Sequence, residues 1–158
     1  MMRTILITDP EQKARIAECI LTALPEWFGL PDSLRTYVED SKEMPFIATF
    51  EHDVPVGFIA LKATSPYAAE IYVMGVCKEH HRKGIGRALY KQFESLARRS
   101  GFTYVQVKTV QSGIYATYDV TNRFYRSMGF RELECFPDMW DPWNPCQIFI
   151  KYIDATDL

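Results

Sequence analysis

A strand-like run, a glycine loop and a helix-like run follow one another near the middle of this chain, and this succession limits the possible folds most. The strand-like run spans 71–76, the loop HRKGIG spans 81–86, and the helix-like run spans 88–99. The N–H groups of a first helical turn have no partner inside the helix, and the peptide dipoles place partial positive charge there. Gly84 and Gly86 let the main chain approach a phosphate closely. The stretch therefore indicates an anion site at a helix start.

Two well-known phosphate loops do not fit this spacing. The dinucleotide fingerprint requires a third small residue where this chain has Leu89, and the P-loop requires Gly-Lys followed by Ser or Thr, which this stretch lacks. A basic turn with two glycines also occurs at ordinary solvated helix starts. The stretch by itself leaves phosphate binding and a solvated helix start both open.

The loop closely resembles the pyrophosphate loop of the GNAT superfamily of acyl-CoA N-acyltransferases, whose pattern is Gln/Arg-x-x-Gly-x-Gly/Ala after a strand. His81 stands where the family usually has Gln or Arg, and Gly84 and Gly86 occupy the two glycine positions. A second segment, FYRSMGF at 124–130, is similar to the Phe-Tyr-x-x-x-Gly-Phe segment that closes a GNAT domain. The resemblance covers about 5–153. It implies acetyl-CoA as the co-substrate.

The resemblance also implies which residues contact acetyl-CoA. The Val76 backbone would pair with a pantetheine amide as an added strand pairs with a sheet edge, and the Met74 amide would polarise the thioester carbonyl. Many relatives carry Asn seven residues before the Tyr of the second segment; this chain has Tyr118 there, and Asn122 is the nearest asparagine. Which of these two contacts the cofactor stays open. The expected cofactor contacts are Met74, Val76, His81, Arg82, Lys83, Gly84, Ile85, Gly86, Arg87, Ala88, Tyr118 and Asn122.

Two further positions are expected, from the same resemblance, to carry the chemistry. An amine with a pKa of about 10.4 is almost wholly protonated at neutral pH, and removing its proton costs about 4–5 kcal/mol. In several family members a Glu matching Glu70 acts as the base, directly or through water; a solvent-facing strand Glu is the alternative. Tyr125 matches the family's acid to the leaving CoA thiolate. Its alternative is a Tyr packed at a helix edge with its hydroxyl in water.

The acceptor is the part that the sequence specifies least. In relatives the segment after the first helix and the loop before the last strand wall the acceptor site, and these correspond here to 24–37 and 137–146. Both are rich in aromatic and acidic residues, which suit a cation, although the rings could equally seal the core. A small amine, a polyamine-like molecule and a protein Lys or N-terminus all stay open. The expected acceptor contacts are Glu26, Trp27, Phe28 and Trp140.

Length and charge narrow the class of protein. The chain has 158 residues, enough for one domain that buries about 70% of its unfolded surface, so we expect a single GNAT-type domain over 1–158. A net charge of −2 argues against general nucleic-acid affinity. The apolar run 5–7 is too short for a signal peptide, and no run reaches membrane-spanning length. We expect neither a nucleic-acid nor a membrane partner, and a monomer or a homodimer.

The cysteines and histidines predict neither a disulfide framework nor a metal site. The four cysteines form no Cys-x-x-Cys pair. His52, His80 and His81 lack ligand partners at metal spacing and are expected at the surface. A reducing cytoplasm is the natural compartment for such a chain.

Hydrophobic periodicity predicts the element order β-α-α-β-β-β-α-β-α-β-β. Asp9 and Pro10 form a helix start, with Asp9 as the N-cap. The predicted fold is α/β (α+β), with a mixed, mostly antiparallel sheet of about seven strands and helices on both faces. The predicted strands are 3–8, 46–51, 54–63, 70–77, 104–110, 131–136 and 147–152, and the predicted helices are 10–24, 32–40, 88–99 and 121–128.

These observations favour an acetyl-CoA-dependent N-acetyltransferase that transfers the acetyl group directly to a primary amine in a ternary complex, without a covalent intermediate. One alternative is a non-catalytic module that binds or senses acyl-CoA. Another is a nucleic-acid-binding protein that uses the basic helix start. The presence of both Glu70 and Tyr125 favours the enzyme.

Overall fold

The computed structural model describes residues 1–154, so positions 155–158 of the predicted domain lie outside the described residues. The elements follow the predicted order, with a short 3-10 turn at Lys78–His80. The strands are β1 (Met2–Ile7), β2 (Phe46–Glu51), β3 (Val54–Ala63), β4 (Ala68–Val76), β5 (Tyr104–Val110), β6 (Arg131–Asp141) and β7 (Asn144–Tyr152), and the helices are α1 (Pro10–Thr22), α2 (Pro31–Ser41), α3 (Ile85–Arg99) and α4 (Ala116–Ser127).

The strands form one seven-stranded sheet in the order β1-β2-β3-β4-β5-β7-β6. The pairs β1–β2, β2–β3, β5–β7 and β6–β7 are antiparallel. The pair β4–β5 is parallel. The predicted class, a mixed and mostly antiparallel sheet with helices, is therefore confirmed.

The described residues form two compact units, each built from two stretches of chain. Unit 1 comprises 1–62 and 72–96, and its core packs α1 against the strands through fully buried side chains such as Leu21 and Phe46. Its first helix begins as predicted, because the Asp9 side chain accepts a hydrogen bond from the Gln12 N–H at 2.8 Å. This unit carries the glycine loop.

Unit 2 comprises 63–71 and the described residues from 97 onward. Its core contains Val105 of β5 and Phe149 of β7, both 0% exposed. The first half of β4 pairs in this unit with β5, and Glu70 lies opposite Gln106. This unit carries both residues that were expected to do the chemistry.

Some element boundaries differ from the predicted ones. Helix α3 begins at Ile85 rather than at 88, and α4 begins at Ala116 rather than at 121. The segment 137–146, expected as a loop, is largely a hairpin, since β6 runs to Asp141 and β7 starts at Asn144. β6 ends the strand order, so Pro137 can sit in it without breaking a needed ladder bond.

The tight turn that closes this hairpin is held by one side chain. Asp141 Oδ1 accepts hydrogen bonds at 2.9 Å from the N–H groups of Trp143 and Asn144. The Asn144 side chain donates to the same carboxylate. These bonds, the Asn144 side chain first, lower the pKa of Asp141 below its ordinary value. No helix within residues 1–154 has the length and apolar character needed to cross a membrane.

Candidate functional site

The glycine loop of unit 1 turns from β4 into α3 through two left-handed residues. Arg82 has φ +65° and Gly84 has φ +80°. A Cβ added at Gly84 would meet nothing within 4 Å, so open space lies on that side of the loop. Inside α3 the first carbonyl to accept is that of Gly84, from the Ala88 N–H at 3.0 Å. The N–H groups between these two residues therefore have no helical partner.

The loop surroundings suit an anion. The side chains of Arg82, Lys83 and Arg87 are exposed, and Gly86 contributes no side chain. The negative charge of a pyrophosphate group can be balanced here by backbone N–H donors, the positive end of a helix and three cationic side chains. The residues present thus fit the diphosphate of acetyl-CoA, which was predicted to bind here.

His81 is tied into unit 1 by two contacts. Its Nε2 lies 2.7 Å from the carbonyl oxygen of Val76, and its ring meets the Trp27 ring edge-on at a centroid distance of 6.1 Å. Val76 is the residue whose backbone was predicted to pair with pantetheine. A carbonyl oxygen has two lone pairs, so the Val76 oxygen can accept from His81 and from a second donor.

Two side-chain contacts hold the chain around the loop in place. His80 Nε2 contacts a Glu51 carboxylate oxygen, and this hydrogen bond lowers the pKa of Glu51 against the opposing effect of burial. Lys78 donates to Glu26, and this bond is the main cause of the lowered pKa of Glu26. His80 is thus half-buried and paired, rather than an isolated surface histidine as expected.

The residues predicted to contact the acceptor lie in both units. In unit 1 Glu26 is bonded to Lys78, Trp27 meets His81, and the Phe28 ring lies 5.8 Å from the Tyr37 ring. In unit 2 Trp140 is exposed on β6. Glu26 and Trp27 therefore have partners within the protein already.

The sequence reasoning missed an aromatic cluster in unit 1. The Tyr37 ring contacts the Tyr72 ring at 5.4 Å, and the Tyr72 hydroxyl donates to Asp40. Lys62 Nζ lies 5.5 Å from the centre of the Tyr72 ring. The sequence carried a weak indication of this cluster, because Tyr72 follows Glu70 by two residues on the same strand and Tyr37 falls in the predicted acceptor segment.

Glu70 is buried in unit 2, at 6% exposure, so the alternative of a solvent-facing strand residue is wrong. Its Oε1 accepts a hydrogen bond from Lys108 Nζ at 2.9 Å. Sequence reasoning missed Lys108. The available signal was that Lys108 follows Gln106 by two residues on β5, and alternate strand residues share a face.

Tyr125 is also buried, at 7% exposure, and not solvated at a helix edge. Its ring lies 5.8 Å from that of Phe130 and 6.3 Å from that of Phe149. Burial, with Tyr118 adding to it, holds the pKa of Tyr125 well above its ordinary value of 10.0. The phenol therefore stays protonated at physiological pH.

The side-chain oxygen and nitrogen of Asn122 both form hydrogen bonds within unit 2. Its Oδ1 accepts from Thr109 Oγ1 at 2.9 Å, and its Nδ2 donates to the Val110 carbonyl at 2.9 Å and to Ser112 Oγ at 3.0 Å. The side chain is 0% exposed. Both of its N–H donors are used, whereas Tyr118 is half-buried and reaches the surface. The contact of Tyr118 or Asn122 with pantetheine stays a prediction.

Within residues 1–154 no group of three or more His, Cys, Asp or Glu side chains could hold a metal ion. The cysteines of that range are all free thiols, and they are Cys19, Cys77, Cys135 and Cys146.

Known proteins resemble this chain in sequence and in fold. Residues 13–130 match the family model described as Acetyltransferase (GNAT) family. The uncharacterized N-acetyltransferase YsnE of Bacillus subtilis (strain 168) is 27% identical over 108 residues, which are 68% of each chain.

Two solved structures show the same fold at low identity. One, from Desulfovibrio desulfuricans and described as a GNAT-family acetyltransferase, has a TM-score of 0.84 at 16% identity, over 96% of this chain and 99% of its own. The other is YncA of Salmonella typhimurium, described as an acetyltransferase and solved with its cofactor acetyl-CoA. It has a TM-score of 0.74 at 17% identity, over 97% of this chain and 94% of its own.

Proposed function

Because residues 13–130 match its model, the chain belongs to the GNAT acetyltransferase family, and we propose that it transfers the acetyl group of acetyl-CoA directly to a primary amine in a ternary complex. The observation that carries this proposal is the loop before α3, where Arg82 and Gly84 both adopt positive φ. YncA, which shares the fold, was solved with acetyl-CoA as its cofactor. The family and the loop therefore support the same co-substrate.

The loop would hold the pyrophosphate through the backbone amides from Arg82 to Arg87. Each hydrogen bond to a charged group is worth about 1.5–3 kcal/mol, so losing one donor has a measurable effect on affinity. The Val76 backbone would pair with pantetheine, and the Met74 amide would polarise the thioester carbonyl. His81, with its ring on the Val76 oxygen, would fix the strand end at which this pairing occurs.

The proposed chemistry uses Glu70 and Tyr125. Glu70 takes a proton from the acceptor ammonium, directly or through water, and leaves a neutral amine. The amine nitrogen then forms a bond to the acetyl carbonyl carbon, and the bond from that carbon to sulfur breaks. Tyr125 donates a hydrogen bond to the leaving thiolate. The bonded nitrogen loses its second proton to solvent water, the thiolate takes up a proton from solvent to become the CoA thiol, and Glu70 releases the first proton to solvent.

The raised pKa of Tyr125 bears on the form of this last step. The CoA thiol has an ordinary pKa of about 8.5, so a phenol with a raised pKa does not give up its proton to the thiolate outright. A hydrogen bond that shortens as the carbon–sulfur bond breaks requires less free energy than full transfer of the proton. Tyr125 would therefore stabilise the leaving group chiefly as a donor.

The acceptor class, the oligomeric state and the compartment belong to the same proposal. The acceptor would be a small-molecule or peptide amine, and the protein would act as a monomer or a homodimer in the cytoplasm, without nucleic acid. The free cysteines are consistent with a reducing compartment. One domain over 1–158 remains part of the proposal.

The test measures binding first and turnover second. Calorimetry with acetyl-CoA should show saturable binding, and double-stranded DNA should show none. A thiol reagent would then follow CoA release with spermidine, an aminoglycoside, benzylamine and peptides bearing a free N-terminus or a Lys. Amine-dependent release supports the enzyme. Binding without release on any amine supports the acyl-CoA-binding module, and absence of binding contradicts both.

A further inference from the structure

Lys108 contacts the side chain that is proposed as the base. Glu70 and Gln106 are register partners on β4 and β5, and Lys108 lies two residues beyond Gln106 on the same face of β5. From there Lys108 Nζ reaches Glu70 Oε1 at 2.9 Å. The Glu70 side chain is 7% exposed and that of Lys108 is 32% exposed, so this is a partly buried ion pair.

Cys146 is a titratable group of unit 2 that also interacts with Glu70. Cys146 of β7 is 0% exposed, and burial raises the pKa of its thiol to about 11, with Lys108 opposing the rise and Glu70 adding to it. The thiol is therefore neutral at physiological pH. Lys108 supplies a positive charge 2.9 Å from Glu70 Oε1.

A buried carboxylate needs such a partner to remain charged. Removing an ionised carboxyl group from water costs free energy, and an isolated one takes up a proton instead. The Lys108 ammonium compensates Glu70 and occupies Oε1. The other oxygen, Oε2, retains its lone pairs for an incoming proton.

We propose that Lys108 is a positioning residue of the acetyl transfer, which holds Oε1 of the buried Glu70 carboxylate and orients Oε2 to accept the proton of the acceptor. The inference rests on the proposed role of Glu70 as the base. A purely structural ion pair would stabilise the fold but would leave the pH dependence of the reaction unchanged. The two roles therefore differ in a measurable way.

The experiment compares Lys108→Met with Lys108→Arg, which retains the charge. In Lys108→Met the titration midpoint of the Glu70 carboxyl, followed by ¹³C NMR, should rise by one pH unit or more. The pH midpoint of the acidic limb in the kcat profile, measured with the fastest amine of the panel above, should move to higher pH with it. The affinity for acetyl-CoA should stay within twofold, and Lys108→Arg should restore both pH readouts.

Lys151→Met is the matched control. Lys151 lies on β7 of the same unit and donates to the Met128 carbonyl at 2.8 Å, so the variant removes an equivalent charge of unit 2 while the bond between Lys108 and Glu70 stays intact. It should leave the profile in place. In a Glu70→Gln background, Lys108→Met should have no further effect on kcat, because Lys108 acts through Glu70.

The outcomes separate the two proposals. An unchanged midpoint and profile in folded Lys108→Met, with a slow Glu70→Gln, would overturn the role of Lys108 and leave that of Glu70. A normal rate for Glu70→Gln would overturn the base and the positioning role together. Should Lys108→Met fail to fold, Lys108→Gln keeps an N–H donor for Oε1 without the charge, and the same shift is required of it.

Discussion

The glycine loop of unit 1 and the Glu70 region of unit 2 prepare their chemistry in opposite ways. The loop presents backbone donors, exposed cations and open space beside Gly84. The Glu70 region presents buried side chains, of which Glu70 is bonded to Lys108 and Tyr125 has a pKa raised by burial. Under the proposed function, binding in the first region would depend on main-chain conformation, and catalysis in the second would depend on burial and pairing. Substitutions should therefore affect different steps in the two regions.

Glu70→Gln should have the largest effect. An amide cannot accept the proton, and a positioned general base contributes about 100-fold or more to a rate. We expect kcat at neutral pH to fall by about that factor, with partial recovery as the pH rises and free amine accumulates. The affinity for acetyl-CoA should stay unchanged, because the substitution lies outside the loop. A variant that lost affinity but kept its rate would break the comparison between the two regions.

Gly84→Val should affect the opposite step. Gly84 has φ +80° and a side chain there would enter the open space beside the loop. In that space the valine would displace the pyrophosphate from the backbone donors. Loss of one of these hydrogen bonds weakens binding by about tenfold or more. Calorimetry with acetyl-CoA measures this effect directly.

Gly101→Val is the control for that experiment. Gly101 has φ +90° and nothing within 4 Å of an added Cβ, so the left-handed strain of about 1–2 kcal/mol matches that at Gly84. The melting temperatures of the two variants should fall by similar amounts. Equal affinities for acetyl-CoA in the two folded variants would mean that the loop is an ordinary helix start.

The same contrast explains what could be predicted from the sequence. The loop was visible because backbone conformation is encoded locally, by glycines at fixed spacing between a strand and a helix. The start of α1 at Asp9 and Pro10 was visible for the same reason. The partner of Glu70 was not visible, because Lys108 is 38 residues away and only the parallel register of β4 and β5 brings the two together.

The hairpin of β6 and β7 shows a second limit. The segment 137–146 was predicted as the loop before the last strand, and Pro137, Asp138 and Pro142 within it are residues typical of turns. The position of β6 at the end of the sheet makes Pro137 tolerable, and the Asp141 side chain closes a short turn. Strand order is a property of the whole fold, so local composition could not reveal it.

Tyr125→Phe should have a smaller effect than either substitution above. The ring contacts with Phe130 and Phe149 remain, so the fold is kept and only the donor to the leaving thiolate is lost. In the transition state the sulfur carries only part of the negative charge, so the bond is closer to a neutral one, which is worth about 0.5–1.5 kcal/mol and corresponds to a loss of about two- to tenfold in kcat. The dissociation constant of acetyl-CoA should stay the same. A loss much larger than this would indicate outright proton transfer, against the raised pKa of the phenol.

Glu51→Gln should have the smallest effect, and it sharpens the comparison from the side of the loop. The His80 hydrogen bond lowers the pKa of Glu51 below its ordinary value of 4.5. A carboxyl group with a depressed folded-state pKa stabilises the fold above its unfolded pKa, and this stabilisation is lost as the pH falls through the folded pKa. The wild-type chain should therefore melt slightly higher than Glu51→Gln at pH 7, and the gap should close only below about 4.5. The kcat should not change, because Glu51 anchors the loop and takes no part in proton transfer. Melting curves of both chains between pH 3 and 7 measure the gap, and a gap that persisted at the acidic end would assign the anchoring to packing instead of charge.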